Sequence, residues 1–175
     1  PVGKRVAIVG AGGIGFDVAE FLVHEGESPT ENLDLWRQEW GVGHPSETRG
    51  GLAEPRPTRP ARQVTLLQRK QEKPGRRLGK TTGWIHRASL KMKGVEMMAG
   101  VNYEGIDHKG LHISFGEARE RPTLVEADTI VLCAGQVSER SLASALAARG
   151  VQAHVIGGAD VAAELDAKRA IDQGT

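Results

Sequence analysis

The feature that most constrains the fold is a glycine motif that follows directly on a short apolar run. The segment VAIVGAGGIGFD carries G-x-G-x-x-G at Gly10, Gly12 and Gly15, with a strand pattern before it and a helical pattern after it. Gly10 allows a tight turn, Gly12 lets the backbone approach a diphosphate, and Gly15 lets helix and strand pack closely. Amides at the start of the helix then face the anion. The residues expected to bind a dinucleotide diphosphate are Gly10, Ala11, Gly12, Gly13, Ile14 and Gly15.

The rest of the chain alternates between strand and helix patterns. Strands are expected at 5–10, 62–68, 95–100, 129–135 and 152–160, helices at 14–26, 82–94 and 161–174, and three shorter alternating strands at 101–107, 110–116 and 122–128. Apolar strands separated by helices are typical of a parallel sheet covered on both faces. The expected fold class is therefore α/β: a Rossmann-like parallel sheet flanked by helices, with an antiparallel β-meander.

Residues 27–62 interrupt this alternation. They are rich in proline and contain one helical segment, NLDLWRQEW, in which Trp36 and Trp40 are four positions apart. We expect an insertion that lies over the domain surface, with the two tryptophans as a packing stripe rather than a ligand platform.

The end of the second strand indicates which coenzyme is bound. NAD enzymes usually carry an acidic residue there that bonds the ribose 2′-hydroxyl, whereas this chain continues with Gln68, Arg69 and Lys70. The two cations attract a 2′-phosphate, and each charged hydrogen bond contributes about 1.5–3 kcal/mol. We therefore predict NADP(H) over NAD(H). The alternative is that Arg69 and Lys70 only form a solvated strand end.

The GKT triplet at 79–81 is similar to part of an ATP-binding P-loop. A P-loop requires G-x-x-x-x-G-K-[ST], and the first glycine position is occupied by Pro74. We expect instead a loop that leads into a helix, with Thr81 or Thr82 as the N-cap. The basic residues of this loop are Lys73, Arg76, Arg77 and Lys80. They either add to the field around a 2′-phosphate or are simply solvated.

Composition excludes several classes of site. The net charge of +1 predicts no general attraction to nucleic acid. Cys133 is the only cysteine, so the chain itself cannot hold a disulfide, a cysteine-rich metal site or an iron–sulfur cluster, and we expect Cys133 to be a core residue. No apolar stretch reaches the ~18 residues that span a membrane. These features predict a cytoplasmic protein without metal or membrane contacts. For His86 we expect a packing or surface role, because no paired nucleophile or carboxylate is visible near it in the sequence.

Several stretches together resemble one enzyme family. They are VAIVGAGGIGFDVAEFL, LLQRKQEKPGRRLGKTTGWIHR, IVLCAGQ and VIGGADVAAELDAKRAIDQGT. The chain resembles the NADPH-binding segment of the bacterial NADPH-dependent 2,4-dienoyl-CoA reductases, which carry FMN, FAD and an iron–sulfur (4Fe-4S) cluster on an Old Yellow Enzyme-like barrel. The GKTTGWIHR stretch is the distinctive part, because the glycine motif alone would fit many flavoproteins with two dinucleotide folds.

The resemblance implies a function for the intact enzyme. NADPH would reduce FAD, and electrons would pass through the cluster to FMN and then to a dienoyl-CoA during the breakdown of unsaturated fatty acids. It also places Ala134, Gly135 and Gln136 near the coenzyme and Asp160 near FAD. The barrel, the cluster cysteines and the first dinucleotide motif are absent from this sequence. The chain should therefore bind NADPH, hold only part of an FAD site, contain no catalytic residue and be inactive alone.

The same resemblance divides the chain. Residues 1–150 would form the NADP(H)-binding domain with its insertion at 27–62, and residues 151–175 would supply a return strand and helix of an FAD-binding domain. Both ends are expected to be cuts in a longer polypeptide whose remaining FAD and barrel domains are the partners. Alternative functions are a related multi-centre flavoprotein of the enoate reductase or amine dehydrogenase type, or a non-catalytic nucleotide-sensing module.

Overall fold

The computed structural model describes residues 1–163 and 167–175. The chain divides into two compact units, Pro1–Ala134 and Gly135–Thr175. The strands are β1 (Arg5–Val9), β2 (Gln63–Gln68), β3 (Glu96–Ala99), β4 (Val101–Asp107), β5 (Gly110–Phe115), β6 (Glu120–Glu126) and β7 (Thr129–Leu132). The α-helices are α1 (Gly13–Val23), α2 (Leu33–Trp40), α3 (Gly83–Met92), α4 (Ser141–Ala147), α5 (Gly157–Asp160) and α6 (Ala167–Gly174), and a short 3-10 helix covers Arg49–Gly51.

The first unit is built on a parallel sheet with the strand order β3-β2-β1-β7. The central strand β1 is buried on both faces because its apolar side chains alternate between two cores. Val6 and Ile8 pack with Phe16 of α1 on one face. Ala7 and Val9 pack on the other face against the second sheet. The α/β fold with a parallel sheet and flanking helices is confirmed.

The second sheet of this unit is the antiparallel meander β4-β5-β6. Its buried side chains, Val101, Leu111, Ile113 and Val125, cover the face of the parallel sheet that α1 does not. Arg5 at the start of β1 donates to Asp128, which follows β6, at 2.6 Å and to Glu126 at 2.8 Å. The meander expected at 101–128 is therefore present and is joined to β1 by side chains as well as by the core.

The insertion at 27–62 contains one regular α-helix, α2. Asn32 caps it by accepting hydrogen bonds from the amides of Asp34 and Leu35, each at 3.0 Å, and Gly41 ends it in the left-handed conformation. The rings of Trp36 and Trp40 lie with their centroids 6.5 Å apart, as a packing pair. The insertion is fixed to the domain by a buried carboxylate, Glu39, which is 4% exposed.

Glu39 accepts hydrogen bonds from the Thr58 hydroxyl at 2.6 Å and the Thr58 amide at 3.1 Å, and from the ammonium group of Lys93, just after α3. Burial acts to raise the pKa of Glu39, but the hydrogen bonds from Lys93 and Thr58 outweigh it and hold that pKa below its ordinary value. The carboxylate therefore stays ionised and links α2 and Thr58 of the insertion to Lys93 of the domain core.

The second unit corrects one prediction. The strand expected at 152–160 is wrong: residues 151–156 are irregular and Gly157–Asp160 forms the short helix α5. The physical reason is that the described part of this unit offers no other strand for backbone pairing, and Gly157 instead donates its amide to the Gln173 side chain at 2.7 Å. The end of the helix expected at 161–174 is present as α6, and its residues 164–166 lie outside the described residues. The helix α4 was not predicted.

Among the described residues, no helix combines the length and the apolar character needed to cross a bilayer.

Candidate nucleotide-binding site

In the glycine turn between β1 and α1, two positions require glycine because the protein's own backbone leaves no room for a side chain. Gly10 has φ +116°, and a Cβ there would lie 2.3 Å from the carbonyl oxygen of Cys133. A Cβ on Gly15 would lie 1.9 Å from the carbonyl oxygen of Gly10. Larger residues at these positions would therefore disrupt the turn itself, as a strand–turn–helix with this tight geometry requires.

Gly12 and Gly13 differ, because a Cβ on either would meet nothing within 4 Å. Both are exposed, and Gly12 caps α1 without a side-chain hydrogen bond or an acidic residue in the first turn. The first-turn amides and the positive end of the helix dipole are thus open to solvent. This arrangement fits a diphosphate, since the space that a side chain would fill is the space that the anion needs.

A cavity of about 240 Å³ joins the glycine turn to the end of β2. It is lined by Gly10, Ala11, Gly12, Gln68, Arg69, Lys70, Glu72, Gly75, Arg76, Arg77, Tyr103, Cys133 and Ala134. The two sequence motifs predicted to bind a coenzyme therefore meet in one cavity at the carboxyl ends of the parallel strands, where open α/β sheets usually bind ligands.

The charged groups of this cavity are unequally paired. Glu72 lies 3.4 Å from Arg77 and 4.0 Å from Arg76, so its carboxylate already has two cations. Within residues 1–163 and 167–175, Arg69 and Lys70 form no ion pair, and both are exposed. Gln68 uses its side-chain amide within the loop, where it donates to the carbonyl of Lys70 at 3.1 Å and to that of Glu72. Arg69 and Lys70 are the cations left for an anionic ligand.

Comparison with known proteins agrees with this geometry. The family model described as "Pyridine nucleotide-disulphide oxidoreductase" matches residues 1–168. The chain belongs to this pyridine nucleotide-disulphide oxidoreductase family. It is a nucleotide-binding oxidoreductase domain, and the glycine turn lies within the matched residues.

Solved structures with similar folds are large enzymes. A 2-naphthoyl-CoA reductase in complex with 2-naphthoyl-CoA matches 99% of this chain with a TM-score of 0.66 and 18% identity. An amine oxidase for 6-hydroxypseudooxynicotine from Pseudomonas geniculata N1 matches 99% with a TM-score of 0.65 and 18% identity. A histamine dehydrogenase from Rhizobium sp. 4-9 matches 94% with a TM-score of 0.61 and 15% identity. The chain spans 20%, 22% and 21% of those proteins, respectively.

In this oxidoreductase domain, the loop that contains GKT packs against the glycine turn. Gly75 donates its amide to the carbonyl of Ala11 at 3.3 Å, and Arg87 donates to the carbonyl of Gly75 at 2.8 Å. Gly75 has φ +72°, and a Cβ there would lie 2.6 Å from the ring of Phe16. The loop leads into α3 with Thr82 at the N-cap, as predicted, although the Thr82 side chain makes no capping bond. Arg76 and Arg77 line the cavity beside the glycine turn, which we call the nucleotide cavity. Lys73 lines a different cavity, beside Trp84 of α3.

The remaining predicted residues lie in two places. Ala134 lines the cavity of the first unit, and Ile14, 53% exposed, lies in the first turn of α1. Gly135, Gln136 and Asp160 belong to the second unit. Asp160 ends the helix α5 rather than a strand, and its carboxylate accepts from Gln173 at 3.1 Å and lies 3.4 Å from Arg140.

Two other candidate groups have structural roles in the family domain. Burial raises the pKa of the Cys133 thiol, and Cys133 packs against the core of the parallel sheet, so this thiol is a poor nucleophile. His86 on α3 lies 2.7 Å from the Glu20 carboxylate on α1 and joins the two helices. No cluster of potential metal ligands occurs in the described part of the domain.

A larger cavity, about 670 Å³, lies at the opposite end of the sheet, where β1 and β2 begin. Its cations are mostly engaged by the protein: Arg5 by two carboxylates, Lys93 by Glu39, and Arg62 by the carbonyl of Leu22 at 3.2 Å. It also lies away from the glycine turn. The smaller cavity, in contrast, combines the glycine turn with Arg69 and Lys70, which form no ion pair among the described residues.

Sequence reasoning missed Tyr103 and Glu72, which also line the nucleotide cavity. Glu72 lies between Gln71 and Lys73 in a mainly basic loop, and no motif of the sequence marks it as part of a site. Tyr103 comes from the meander, and no local motif connects it with the glycine turn. The single hint in the sequence is that the β-meander follows directly after the strand that pairs with β2.

Proposed function

We propose that the chain is the NADP(H)-binding domain of a 2,4-dienoyl-CoA reductase, which passes hydride from NADPH to FAD in the oxidation of unsaturated fatty acids in the cytoplasm. The observation that carries the proposal is the shared cavity of the glycine turn and the cations at the end of β2. The open amides of Gly12 and Gly13 suit the diphosphate, and Arg69 and Lys70 suit the 2′-phosphate.

The choice of NADP(H) over NAD(H) rests on charge. A 2′-phosphate brings a divalent anion to the ribose, where NAD enzymes usually place a carboxylate to bond the hydroxyl. Here the position after β2 carries Arg69 and Lys70, and Glu72, which lines the same cavity, is already held by Arg77. Two charged hydrogen bonds of about 1.5–3 kcal/mol each would favour NADPH by more than tenfold.

This choice is tested by titrating the chain with NADPH and NADH. We expect wild type to bind NADPH at least tenfold more tightly, and the variant Arg69→Ala/Lys70→Ala to lose that preference while it keeps its affinity for NADH. Lys80→Ala is the matched control, because Lys80 is an exposed cation of the same loop. Equal affinity of wild type for both coenzymes would contradict the assignment.

The other cofactors belong to the rest of the proposed enzyme. We propose that Ala134, Gly135 and Gln136 lie near the NADPH coenzyme and that Asp160 belongs to a partial FAD site, as the resemblance implies. FAD, when bound, accepts the hydride, while FMN and the iron–sulfur cluster lie in other domains of the same polypeptide. The proposed role of this chain is to bind and orient NADPH, and none of its residues is proposed to be catalytic.

The substrate class is proposed from the stretches that resemble the dienoyl-CoA reductases, above all GKTTGWIHR at 79–87. A second candidate is an amine-oxidising enzyme with the same modular plan, because two of the similar folds come from a histamine dehydrogenase and an amine oxidase. The test is to purify the whole polypeptide that contains this chain and measure NADPH oxidation with a 2,4-dienoyl-CoA. Turnover of amines without NADPH consumption would favour the second candidate.

A further inference from the structure

Tyr103 lies in the nucleotide cavity although it belongs to the other sheet. It lies in β4, where it pairs with Ile113 of β5, and its half-buried side chain packs against the core between the two sheets. The same side chain lines the cavity with Arg69, Lys70 and the glycine turn. It is the single tyrosine of the sequence, so any tyrosine signal reports this position.

The start of β4 is fixed to the loop that carries the two cations. Gly100, just before β4, donates its amide to the carbonyl of Lys70 at 3.0 Å. Gly100 has φ +70°, and a Cβ there would lie 2.6 Å from the amide group of the Gln71 side chain. The loop at 69–71 and the first residues of β4 therefore pack in direct contact, which holds Tyr103 beside Arg69.

The hydroxyl group of Tyr103 is available as a donor. Among the described residues it has no protein hydrogen-bond partner, and the hydroxyl oxygen is not enclosed by protein atoms, so a ligand in the cavity can reach it. Burial raises the pKa of Tyr103, and the charge of Arg69 acts in the opposite direction, which places the phenol within reach of that cation's field. The phenol is thus protonated at neutral pH and can donate to an anion that Arg69 also attracts.

We propose that the Tyr103 hydroxyl is a further donor to the 2′-phosphate, beside Arg69 and Lys70, and that it contributes to the preference for NADPH. This inference rests on the proposed NADP(H) site. A hydrogen bond to a charged acceptor corresponds to about a tenfold change in affinity or more. NADH lacks the phosphate and would not gain from this donor.

The test is the variant Tyr103→Phe, which keeps the ring in β4 and removes only the hydroxyl. We expect it to weaken NADPH binding about tenfold and to leave NADH binding unchanged. The matched control is Thr123→Val in β6 of the same sheet, whose hydroxyl bonds the carbonyl of Arg121 at 3.1 Å and not the cavity. Thr123→Val should bind both coenzymes as wild type does.

A double variant shows whether the donors share one phosphate. Adding Tyr103→Phe to Arg69→Ala should cost less NADPH affinity than the two single changes predict together, since the phosphate is already poorly held. In wild type, the ¹³Cζ resonance of the one tyrosine should shift with NADPH and remain nearly unchanged with NADH.

The outcomes distinguish a failure of the role proposed for Tyr103 from a failure of the proposed NADP(H) site. If wild type prefers NADPH and Tyr103→Phe keeps the full preference, the inference is overturned and the NADP(H) site stands. Loss of both coenzymes to the same extent in Tyr103→Phe also overturns it, because the ring would then act by packing. If wild type binds the two coenzymes equally, the NADP(H) assignment fails, and the role of Tyr103 fails with it.

Discussion

Lys93, just after α3, donates its ammonium group to the buried carboxylate of Glu39 in α2. The two residues are 54 positions apart, and the hydroxyl of Thr58, later in the insertion, donates to the same carboxylate at 2.6 Å. The insertion is therefore part of the folded domain, because detaching it from the core would leave both Glu39 and Lys93 without their partners.

The first prediction concerns this ion pair. Lys93→Met should destabilise the chain by about 3 kcal/mol, because Glu39 would remain buried without its cation. The double variant Glu39→Leu/Lys93→Met should be less destabilised than Lys93→Met alone, since it removes both charges. Urea unfolding measures both free energies. A loss below about 1 kcal/mol in Lys93→Met would mean that water replaces the cation.

The second prediction separates ligand binding from folding at the glycine turn. Gly12→Ala should lower the free energy of unfolding by no more than about 1 kcal/mol, the usual difference between Gly and Ala at an N-cap, because the added Cβ meets no protein atom within 4 Å. It should weaken NADPH binding at least tenfold, since the methyl group occupies the space of the diphosphate. Gly15→Ala should lower the melting temperature instead, because its Cβ would meet the Gly10 carbonyl at 1.9 Å.

The matched control for Gly12→Ala is Gly105→Ala in β4, where the added Cβ also meets nothing within 4 Å. Gly105→Ala should retain both stability and coenzyme affinity. Unchanged NADPH binding in Gly12→Ala would show that the coenzyme does not approach this turn.

The third prediction concerns the acid within the nucleotide cavity. Glu72→Gln removes a negative charge and releases Arg77 and Arg76, so NADPH should bind about threefold to fivefold more tightly, in line with the ~1 kcal/mol of an exposed ion pair. NADH binding should change much less, and the gain should shrink at high salt. Glu117→Gln, in an exposed turn, carries the same charge change and should have no effect. Weaker NADPH binding in Glu72→Gln would indicate that the ion pairs position the arginines.

The fourth prediction is a titration. The hydrogen bond from His112 and the amides of Lys109 and Gly110 lower the pKa of Asp107 to about 2. A carboxyl group with a lowered pKa stabilises the fold above its unfolded value near ~3.9, and this contribution is lost as the pH falls toward 2.

His112→Ala should raise the pKa of Asp107 only part of the way to its ordinary value, because the two amides still donate to Oδ1 at 2.8 and 3.3 Å. Carboxyl carbon shifts measured by NMR between pH 1.5 and 6 follow this group directly. An unchanged midpoint in His112→Ala would show that the turn amides alone lower it.

The parallel sheet and the glycine turn could be predicted because their signals are local. A continuous apolar run such as β1 leaves few alternatives to a strand buried on both faces, and two glycines of the turn, Gly10 and Gly15, answer a nearby steric demand. The cations at the end of β2 follow from the same reasoning, since adjacent parallel strands bring their carboxyl ends to one edge.

The parts that could not be predicted depend on distant contacts. The apolar run before Gly157 has the composition of a strand, but a strand forms only where a neighbour can pair with it. Tyr103 reaches the cavity, and Lys93 reaches Glu39, through packing between separate elements, and nothing in the local sequence marks these contacts. The structure at these positions depends on long-range contacts rather than on local secondary-structure propensity.

The two ends of the parallel sheet have opposite tolerance to change. At the amino end, Arg5 is paired with Asp128 and Glu126, so a charge reversal there would break these ion pairs and destabilise the fold. At the carboxyl end, Arg69 and Lys70 are exposed and support no other side chain through an ion pair in the described chain. Acidic residues can therefore replace these two cations with little loss of stability, so the proposed coenzyme preference can be altered without rebuilding the scaffold.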